Sequence, residues 1–440
     1  MNPTVTSKLD LRSFYNRKAL IFISLIFTVT MVFSCFISVF NDVSPFASGM
    51  PDKIVSNETE LKNAVNNAAE PQVIMFDKDI ALTEPLVIPK NKDITLTSNN
   101  NNDEFFKLIG ANNQTTLTVN DGGVLTLADV IVTHTADSTG RGVTINSGGK
   151  LTMSTGIITG NTMSNECWGN KIQEDGGGVY NAGDFNMLGG EISDNTAPHG
   201  GGVYVAYCGS FKLSGGEIIN NKARYTGAGV DVELFTHSNS SGYFSMSGYF
   251  SMSGGVIVNN TAQVYGGGVS NWGTFDMSGG LIASNAGPQG GGVHMMKGSF
   301  SISGGVIANN TAREGGGVYQ FFESNFSMSG GEVSNNKATD GGGVYIDSDF
   351  TMSGGIISGN KASNSGGGVY IGLGTFSLIS GTLSGNTARV GNNVYPSDGD
   401  ERLFGDVSIF GVVMGVVVGV SVVLFVYSRK SRVNRGRMIS

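Results

Sequence analysis

The feature that most constrains this chain is a glycine-rich block that returns at a nearly fixed interval. The block reads GGGVY or a close variant, and its first glycine stands at positions 176, 200, 227, 266, 290, 315, 341, 366 and 391. The steps between these glycines are 24, 27, 39, 24, 25, 26, 25 and 25 residues. A period of this size is typical of a solenoid, in which each repeat buries its core only by stacking on its neighbours.

Each repeat contains three short apolar segments, which we name by their inward residue. The glycine block leads into a Val strand, Phe-x-Met-Ser-Gly-Gly contains a Phe strand, and an Ile or Val three residues before an Asn marks an Ile strand. Each segment is too short for a helix and is bounded by Gly or Asn. The predicted fold is all-β: a right-handed parallel β-helix with three strands per coil of about 25 residues and about 12 coils over residues 73–395.

The spacing also predicts which side chains point inward. The Asn follows the Phe by ten positions in all eight repeats from Phe185 to Asn386, so the Phe strand, the Ile strand and the turn between them should be rigid. The Val of the glycine block should point inward, as should the Phe and Met of the Phe strand, which are two residues apart. Asn tolerates a left-handed backbone and bonds local backbone groups, so we expect a stacked Asn column at one corner.

Composition and charge exclude several classes of protein. The 440 residues include 67 Gly without a three-residue period, which excludes collagen, and 40% hydrophobic residues, which excludes disorder. The formal net charge is −8, of which residues 1–18 carry +3 and the residues after Tyr427 carry +5, leaving −16 for the rest. An acidic body of this kind disfavours nucleic acid as a partner. No motif indicates a metal or another cofactor, and we expect none.

Two uncharged apolar segments flank the repeats. Residues 19–40 are long enough to span a bilayer, although a cleaved signal peptide is the alternative because small residues follow at 47–49. Residues 407–427 form a second apolar span. Lys and Arg lie at the chain ends, so the positive-inside rule predicts cytoplasmic tails at 1–18 and 428–440. The repeats should then lie outside the cell at the plasma membrane, with the N-terminus cytoplasmic only if 19–40 is not cleaved.

Shorter segments connect these parts. Linkers are expected at 41–56 and 396–406, and the segment 57–72 opens with a capping-box pattern that predicts a short amphipathic helix over the open first coil. Two insertions interrupt the repeats, at 162–175 and 231–249. In the second one the sequence YFSMSG occurs twice, at 243–248 and again directly afterwards. Insertions on a regular solenoid form surface loops, where binding tends to reside.

At the level of GGGVY followed by Ile-x-x-Asn-x-Ala, residues 57–395 resemble two groups of proteins. These are the repeats of polymorphic outer-membrane proteins and the adhesin-like surface proteins with a pectin-lyase-like β-helix. Here GGGV replaces the GGA[ILV] block, and Ile or Val replaces the Phe that precedes Asn. The resemblance implies a role at the cell surface, but the helix-length segment 407–427 stands where the first group has an autotransporter barrel. Such motifs are specific for fold and weak for function.

Three functions fit this sequence: an adhesin-like or structural surface protein, a surface that binds glycans or protein partners, and a polysaccharide lyase or hydrolase. Because Val points inward, the next residue should point outward and form an aromatic ladder for sugar rings or a partner, comprising Tyr180, Tyr204, Tyr319, Tyr345, Tyr370 and Tyr395. The alternative is aromatic packing between strands with no ligand. An enzyme needs acids clustered on neighbouring coils. Asp184, Asp276 and Asp349 stand in separated coils and the four His are scattered, so we expect no enzyme.

Three further sites are predicted. Cys167 and Cys208 are expected to form a disulfide outside the cell, with two free thiols as the alternative. Of five Asn-x-Ser/Thr sequons, Asn239 in the long insertion is the preferred glycosylation site. Helix packing in the second span is expected through Gly411, Gly415 and Gly419, which share one helical face. That face would pair with a second copy or with the span 19–40, unless these glycines are only the ordinary Gly content of a membrane helix.

Overall fold

A computed structural model describes residues 51–69, 71–99, 105–163, 175–239 and 242–396 and shows a parallel β-solenoid of about 12 turns. Each turn adds one strand to each of three long sheets, which confirms the expected coil of three strands. The predicted spans 19–40 and 407–427 lie outside these residues. Within the described ranges, no helix is both long enough and apolar enough to cross a membrane.

The three long sheets run the length of the solenoid. The Phe sheet contains Lys53–Val55, Gln72–Phe76, Asp93–Ser98, Val124–Leu127, Lys150–Met153, Asp184–Met187, Ser210–Leu213, Tyr249–Met252, Thr274–Met277, Gly298–Ile302, Ser324–Met328, Phe350–Met352 and Phe376–Leu378. The Val sheet contains Leu86–Ile88, Leu117–Val119, Val143–Ile145, Val179–Asn181, Val203–Val205, Val230–Val232, Val269–Asn271, Val293–Met295, Val318–Gln320, Val344–Ile346, Val369–Ile371 and Val394–Tyr395. The Ile sheet contains Ile80–Ala81, Phe106–Ile109, Val130–Thr133, Ile157–Thr159, Glu191–Ser193, Glu217–Ile219, Val256–Val258, Leu281–Ala283, Val306–Ala308, Glu332–Ser334, Ile356–Ser358 and Thr382–Ser384.

Shorter strands add to this frame where the turn between the Ile and Val sheets is extended enough to pair. They are Thr196–His199, Lys222–Thr226 and Thr261–Ala262 in one small sheet, and Lys337–Asp340 and Lys361–Ser365 in another. The insertion 231–249, expected as a surface loop, instead folds largely into an antiparallel hairpin of Leu234–Asn239 and Gly242–Ser247. Of the other insertion, residues 164–174 lie outside the described part.

Identical residues stack on one another because the register between coils is conserved. Val179 pairs with Val203 and Phe185 with Phe211, and the same alignment continues coil after coil. The inward Val, Phe and Met side chains are almost completely buried and belong to one continuous core. Eight Phe rings form an unbroken stack from Phe185 to Phe376 with centroid separations of 4.2–5.3 Å. The inward assignment from the sequence is confirmed.

A column of nine buried Asn side chains lines the corner after the Ile sheet. Its members are Asn161, Asn195, Asn221, Asn260, Asn285, Asn310, Asn336, Asn360 and Asn386. The Nδ2 of Asn285 donates to Asn310 Oδ1 at 3.1 Å and to Ile257 O at 2.9 Å, and its Oδ1 accepts from the backbone and side-chain amides of Asn260. The column is thus confirmed, but the expected left-handed backbone belongs to the residue before each Asn, such as Asn309 with φ 57°.

The chain enters the solenoid through a strand and a helix. The strand Lys53–Val55, within the segment expected as a linker, pairs with Gln72–Phe76 at the edge of the Phe sheet. The helix Glu58–Asn67 follows, and the Asn57 side chain at its N-terminus accepts from Glu60 N at 3.0 Å. The helix contributes three apolar side chains to the core: Leu61, Ala64 and Val65.

Candidate functional site

The residue after each inward Val forms a second column on the opposite face of the Val sheet. We call this column the outer Val ladder. From the N-terminal end its rungs are Tyr180, Tyr204, Asp231, Ser270, His294, Tyr319, Tyr345, Tyr370 and Tyr395. The six predicted Tyr residues therefore lie on one face. Asp231, Ser270 and His294 occupy the rungs between Tyr204 and Tyr319.

The Tyr rings stack as two separate groups. Tyr180 and Tyr204 have centroids 5.6 Å apart, and the run from Tyr319 to Tyr395 has separations of 4.6–5.3 Å. Contrary to the expectation of an exposed ladder, Tyr204 and Tyr319 are only 8% and 3% exposed. Stacked rings also cover one another's faces, so what the ladder can offer a ligand is mainly ring edges and hydroxyl groups. That geometry weakens the idea of sugar rings stacking along it.

The three middle rungs are polar and buried. Asp231, Ser270 and His294 are each at most 2% exposed, and within the described part of the chain neither ring nitrogen of His294 has a hydrogen-bond partner. The His294 ring is sandwiched between Tyr265 at 4.5 Å and Tyr319 at 5.3 Å. Burial lowers the pKa of His294 to about 3, so this histidine is neutral at physiological pH.

A cluster of titratable groups surrounds the Asp231 rung. His199 Nδ1 lies 2.6 Å from Thr226 Oγ1, and Thr226 donates its hydroxyl proton to Asp231 Oδ2. The same His199 nitrogen is 3.8 Å from Asp231 Oδ2. On the neighbouring rung, the Tyr204 hydroxyl donates to Glu233 Oε2 at 2.7 Å. The cluster therefore joins three consecutive coils.

Electrostatics links this cluster to a third carboxylate. Burial raises the pKa of Asp231 to about 7, with the hydrogen bond from Thr226 opposing the rise and the nearby charge of Glu233 contributing to it. Burial also raises the pKa of Asp175 to about 6, with His199 acting in the opposite direction and Asp231 adding to the rise. The sequence reasoning missed this group because its members are up to 58 residues apart (Asp175 to Glu233) and lie on successive coils. Among the described residues, no group of three or more His, Cys, Asp or Glu could hold a metal ion.

A second set of carboxylates flanks the C-terminal group of rings. The Tyr319 hydroxyl donates to Asp347 Oδ2 at 3.0 Å, and Asp340 accepts from Asn364 Nδ2 at 2.9 Å. Burial raises the pKa of the Tyr345 hydroxyl, and the negative charges of Asp347, Glu314 and Asp340 raise it further. This end of the ladder therefore combines partly buried hydroxyl groups with hydrogen-bond acceptors.

The hairpin begins directly beside the acidic cluster. Its first strand starts at Leu234, one residue after Glu233, and Asn239 is the last residue of that strand. Near its base Phe235 contacts Tyr207 with ring centroids 5.1 Å apart, and both rings are exposed, by 36% and 42%. Such a pair of exposed aromatic rings at the base of a protruding element is suited to contact with a partner.

The other predicted sites are only partly within the described residues. Cys208 is exposed, and its Sγ is 3.4 Å from Met246 Sδ on the hairpin. Cys167 lies outside the described residues, so the disulfide stays a prediction. The same holds for the glycine face of the second span and for modification of Asn239.

The acids singled out from the sequence stay apart. Asp184, Asp276 and Asp349 all lie on the Phe-sheet side, where Asp276 accepts from the Ser301 hydroxyl and Asp349 from the Thr375 hydroxyl, each on the following coil. A fourth residue, His134, is structural: it is buried, and its Nδ1 lies 2.8 Å from Asn161 Oδ1 at the start of the Asn column.

Comparison with known proteins adds no relative. No family model, no curated protein and no solved structure matches this chain. The likeness to polymorphic outer-membrane protein repeats and adhesin-like β-helices therefore rests on the repeat motif and on the solenoid fold alone.

Proposed function

We propose that this chain is an adhesin-like surface protein whose solenoid presents the outer Val ladder and the hairpin to a partner. The observation that carries this proposal is the position of the hairpin beside the outer Val ladder, since its first strand starts one residue after Glu233, which accepts from the Tyr204 hydroxyl. The inward Val and Phe columns and the Asn column hardly change from coil to coil, whereas the outer Val ladder changes between Tyr, Asp, Ser and His. In repeat proteins, side chains that vary on a constant frame are the usual means of recognition.

The chemistry of the ladder suggests what it binds. Its C-terminal half offers the hydroxyl groups of Tyr345 and Tyr370 together with the carboxylates of Asp340 and Asp347. Carboxylates accept hydrogen bonds from sugar hydroxyls, and Tyr hydroxyls both donate and accept them. We therefore propose a glycan bound by its hydroxyl edge rather than by stacking, with the exposed Tyr207 and Phe235 rings providing apolar contact.

A glycan array probed with the purified full chain tests this proposal. We expect binding to fall at least tenfold in the variant Tyr345→Ala plus Tyr370→Ala, and to stay unchanged in Thr351→Ala, which alters an exposed position on the Phe sheet. Glycan binding that survives the double Tyr substitution would remove the ladder from the proposal. Circular dichroism of all variants checks that the solenoid is intact.

We also propose that the two apolar segments anchor the protein in the plasma membrane, with the solenoid outside the cell. The supports are the length of residues 19–40 and 407–427 and the basic residues beyond each. Protease added to intact cells should digest the repeats and leave a C-terminal tag protected. A solenoid protected from the protease would contradict this topology. The helix Glu58–Asn67, whose apolar residues join the core, is proposed to close the first coil.

A second candidate function is a polysaccharide hydrolase or lyase, favoured by one observation. Asp231, Glu233 and Asp175 lie on neighbouring coils, and burial raises the pKa of both Asp231 and Asp175, as a general acid requires. The burial of Asp231 weighs against it, because a substrate must reach the reacting carboxyl. We expect no release of reducing sugar from polygalacturonate or cell-wall glycans by the full chain. Release that disappears in Asp231→Asn would establish the enzyme instead.

A further inference from the structure

The outer face of the Ile sheet carries an apolar surface that the repeat pattern does not require. Three consecutive strands, Val256–Val258, Leu281–Ala283 and Val306–Ala308, are apolar at every position. Their middle residues point into the core, so the flanking residues point outward. We name the outward residues the Ile-sheet patch: Ile219, Val256, Val258, Leu281, Ala283, Val306 and Ala308.

Glutamates flank the patch along one outward column of the Ile sheet. In one outward column the register runs from Glu191 and Glu217 through three patch residues to Glu332. In the other column the coils on the two sides carry Thr or Ser, namely Thr159, Ser193, Ser334 and Ser358. The first column also carries Ile131 and Ile157 before Glu191, and Ile356, which is 42% exposed, after Glu332, so the glutamates flank the patch without ending the aliphatic residues of this face.

Strands that are apolar on both faces are normally covered on both faces. The inner residues Ile257, Ile282 and Ile307 are completely buried in the core. The larger outward residues Val256, Leu281 and Val306 are only half-buried. The inner face of these three strands is thus packed in the core. On the outer face, the described residues leave these side chains partly exposed.

We propose that the Ile-sheet patch docks a partner protein that presents a flat apolar strip bordered by Lys or Arg side chains. The apolar centre supplies the dry core of such an interface, and the glutamates supply its charged rim. None of the ion pairs within the described part of the chain uses Glu191, Glu217 or Glu332. These three carboxylates therefore attract basic groups on whatever covers the patch.

A second copy of this chain fits the patch less well, because symmetry brings like charges together. When two patches meet face to face with Leu281 opposite Leu281, an antiparallel pairing places Glu217 opposite Glu332 of the other copy. A parallel pairing places each glutamate opposite itself. Either arrangement opposes like charges at the rim, which disfavours pairing. Charge complementarity thus selects a basic partner over self-association.

Two synthetic β-hairpin peptides with the same apolar face test this inference, one flanked by Lys and the other by Glu. Binding of each labelled peptide to the purified full chain is followed by fluorescence anisotropy. We expect the Lys peptide to bind at least tenfold more tightly than the Glu peptide. We expect Leu281→Ser plus Val306→Ser to weaken it at least tenfold, and Glu217→Lys plus Glu332→Lys to reverse the preference.

Asp184→Lys is the matched control, because it adds a positive charge to an exposed position on the Phe sheet. Equal binding of both peptides, or Lys-peptide binding unaffected by the serine substitutions, would overturn the proposal. So would a dimer in sedimentation velocity that the serine substitutions abolish, because the occupant would then be a second copy. The variant Tyr345→Ala plus Tyr370→Ala should bind the Lys peptide normally, since the patch acts independently of the outer Val ladder.

Discussion

The Asn column and the outer Val ladder are both stacks with one rung per coil, yet only one of them keeps its residue. All nine rungs of the column are Asn, and the side-chain amide bonds run from Asn161 to Asn386 without a gap. The ladder changes between four residue types, and among the described residues the ring nitrogens of His294 find no hydrogen-bond partner. The two stacks have the same spacing of one rung per coil, but they differ in how completely their polar groups are satisfied by hydrogen bonds.

The difference shows what makes a repeat position invariant. An Asn in the column bonds the coils on both sides of its own: the Nδ2 of Asn285 donates to Ile257 O and to Asn310 Oδ1, and its Oδ1 accepts from the two amides of Asn260. Any other side chain would leave buried groups unpaired on both sides. A rung of the ladder needs only to fit beside its neighbours, so substitution there is tolerated and variation accumulates. Four predictions test this contrast.

The largest effect is expected for a break in the Asn column. Asn285→Ala should lower the free energy of unfolding by about 4 kcal/mol, because it removes four hydrogen bonds and leaves buried partners on both adjacent coils unpaired. Urea denaturation followed by circular dichroism measures the change. The control is Asn186→Ala, at a half-buried outward position of the Phe sheet, with an expected loss of about 0.5 kcal/mol or less. Equal losses would show that the column carries no special stability.

The next effect concerns the close stacking of the glycine blocks. A Cβ on Gly292 would lie 2.6 Å from Gly317 O and 2.8 Å from Ile307 Cγ2, so Gly292→Ala should cost about 3 kcal/mol by forcing coils apart. Gly385, unlike Gly292, has a left-handed φ, of +64°, but a Cβ there meets nothing closer than 3.8 Å. Gly385→Ala should therefore cost about 1 kcal/mol, from backbone strain alone. Thermal denaturation of the two variants compares these costs, and a larger loss at Gly385 would contradict the account.

A smaller effect is expected from titration of the outer Val ladder. The pKa of Asp231 is about 7, above its ordinary value of 3.8, so the stability linked to its proton is fully present below about pH 4 and is lost as pH rises through 7. The charged groups around it are His199, Glu233 and Asp175. Asp231→Asn should therefore remove a decline on the order of 2 kcal/mol between pH 5 and pH 8.

Urea denaturation of wild type and Asp231→Asn at pH 5, 6, 7 and 8 measures this decline. Taking the difference between the two proteins cancels the titration of residues that the substitution leaves unchanged, such as His294. Parallel pH profiles for both proteins would show that Asp231 does not titrate in this range.

The smallest effect separates ring stacking from hydroxyl bonding within the ladder. Tyr319→Phe keeps the stacked ring and removes the hydrogen bond to Asp347, so the expected loss is about 1 kcal/mol. Tyr395→Phe, at the end of the stack, is the matched control, with an expected loss of a few tenths of a kcal/mol. Identical melting curves for the two variants would mean that the carboxylate contact adds nothing to stability.

Much of the solenoid could be predicted from the sequence because its period is regular. A Phe ten positions before each Asn sets the Phe strand, the Ile strand and their turn, and the inward side chains follow from strand alternation. The prediction of exposed rings failed at Tyr204 and Tyr319, which stack on neighbouring rings and bond the carboxylates of Glu233 and Asp347. Alternation states which face a residue occupies but not what lies over that face.

The candidate sites were harder to predict for a related reason. Asp231 lies 3.8 Å from His199 of an earlier coil, and no short sequence motif connects residues on different coils. The Ile-sheet patch was overlooked because Val-Ile-Val and Val-Ile-Ala each fit the expected strand pattern. Neither segment indicates an apolar outer surface by itself. Only the register between coils shows that these outward residues adjoin one another.

The duplicated YFSMSG sequence shows how this architecture deals with copying errors of different lengths. The second copy provides the strand Tyr249–Met252, while the first is displaced into the hairpin strand Gly242–Ser247. A duplication of one whole coil re-forms every bond between neighbours and lengthens the solenoid. A shorter duplication cannot keep the register, so the extra residues leave the stack and project outward. Duplications shorter than one coil thus add new surface elements, while the three long sheets stay intact.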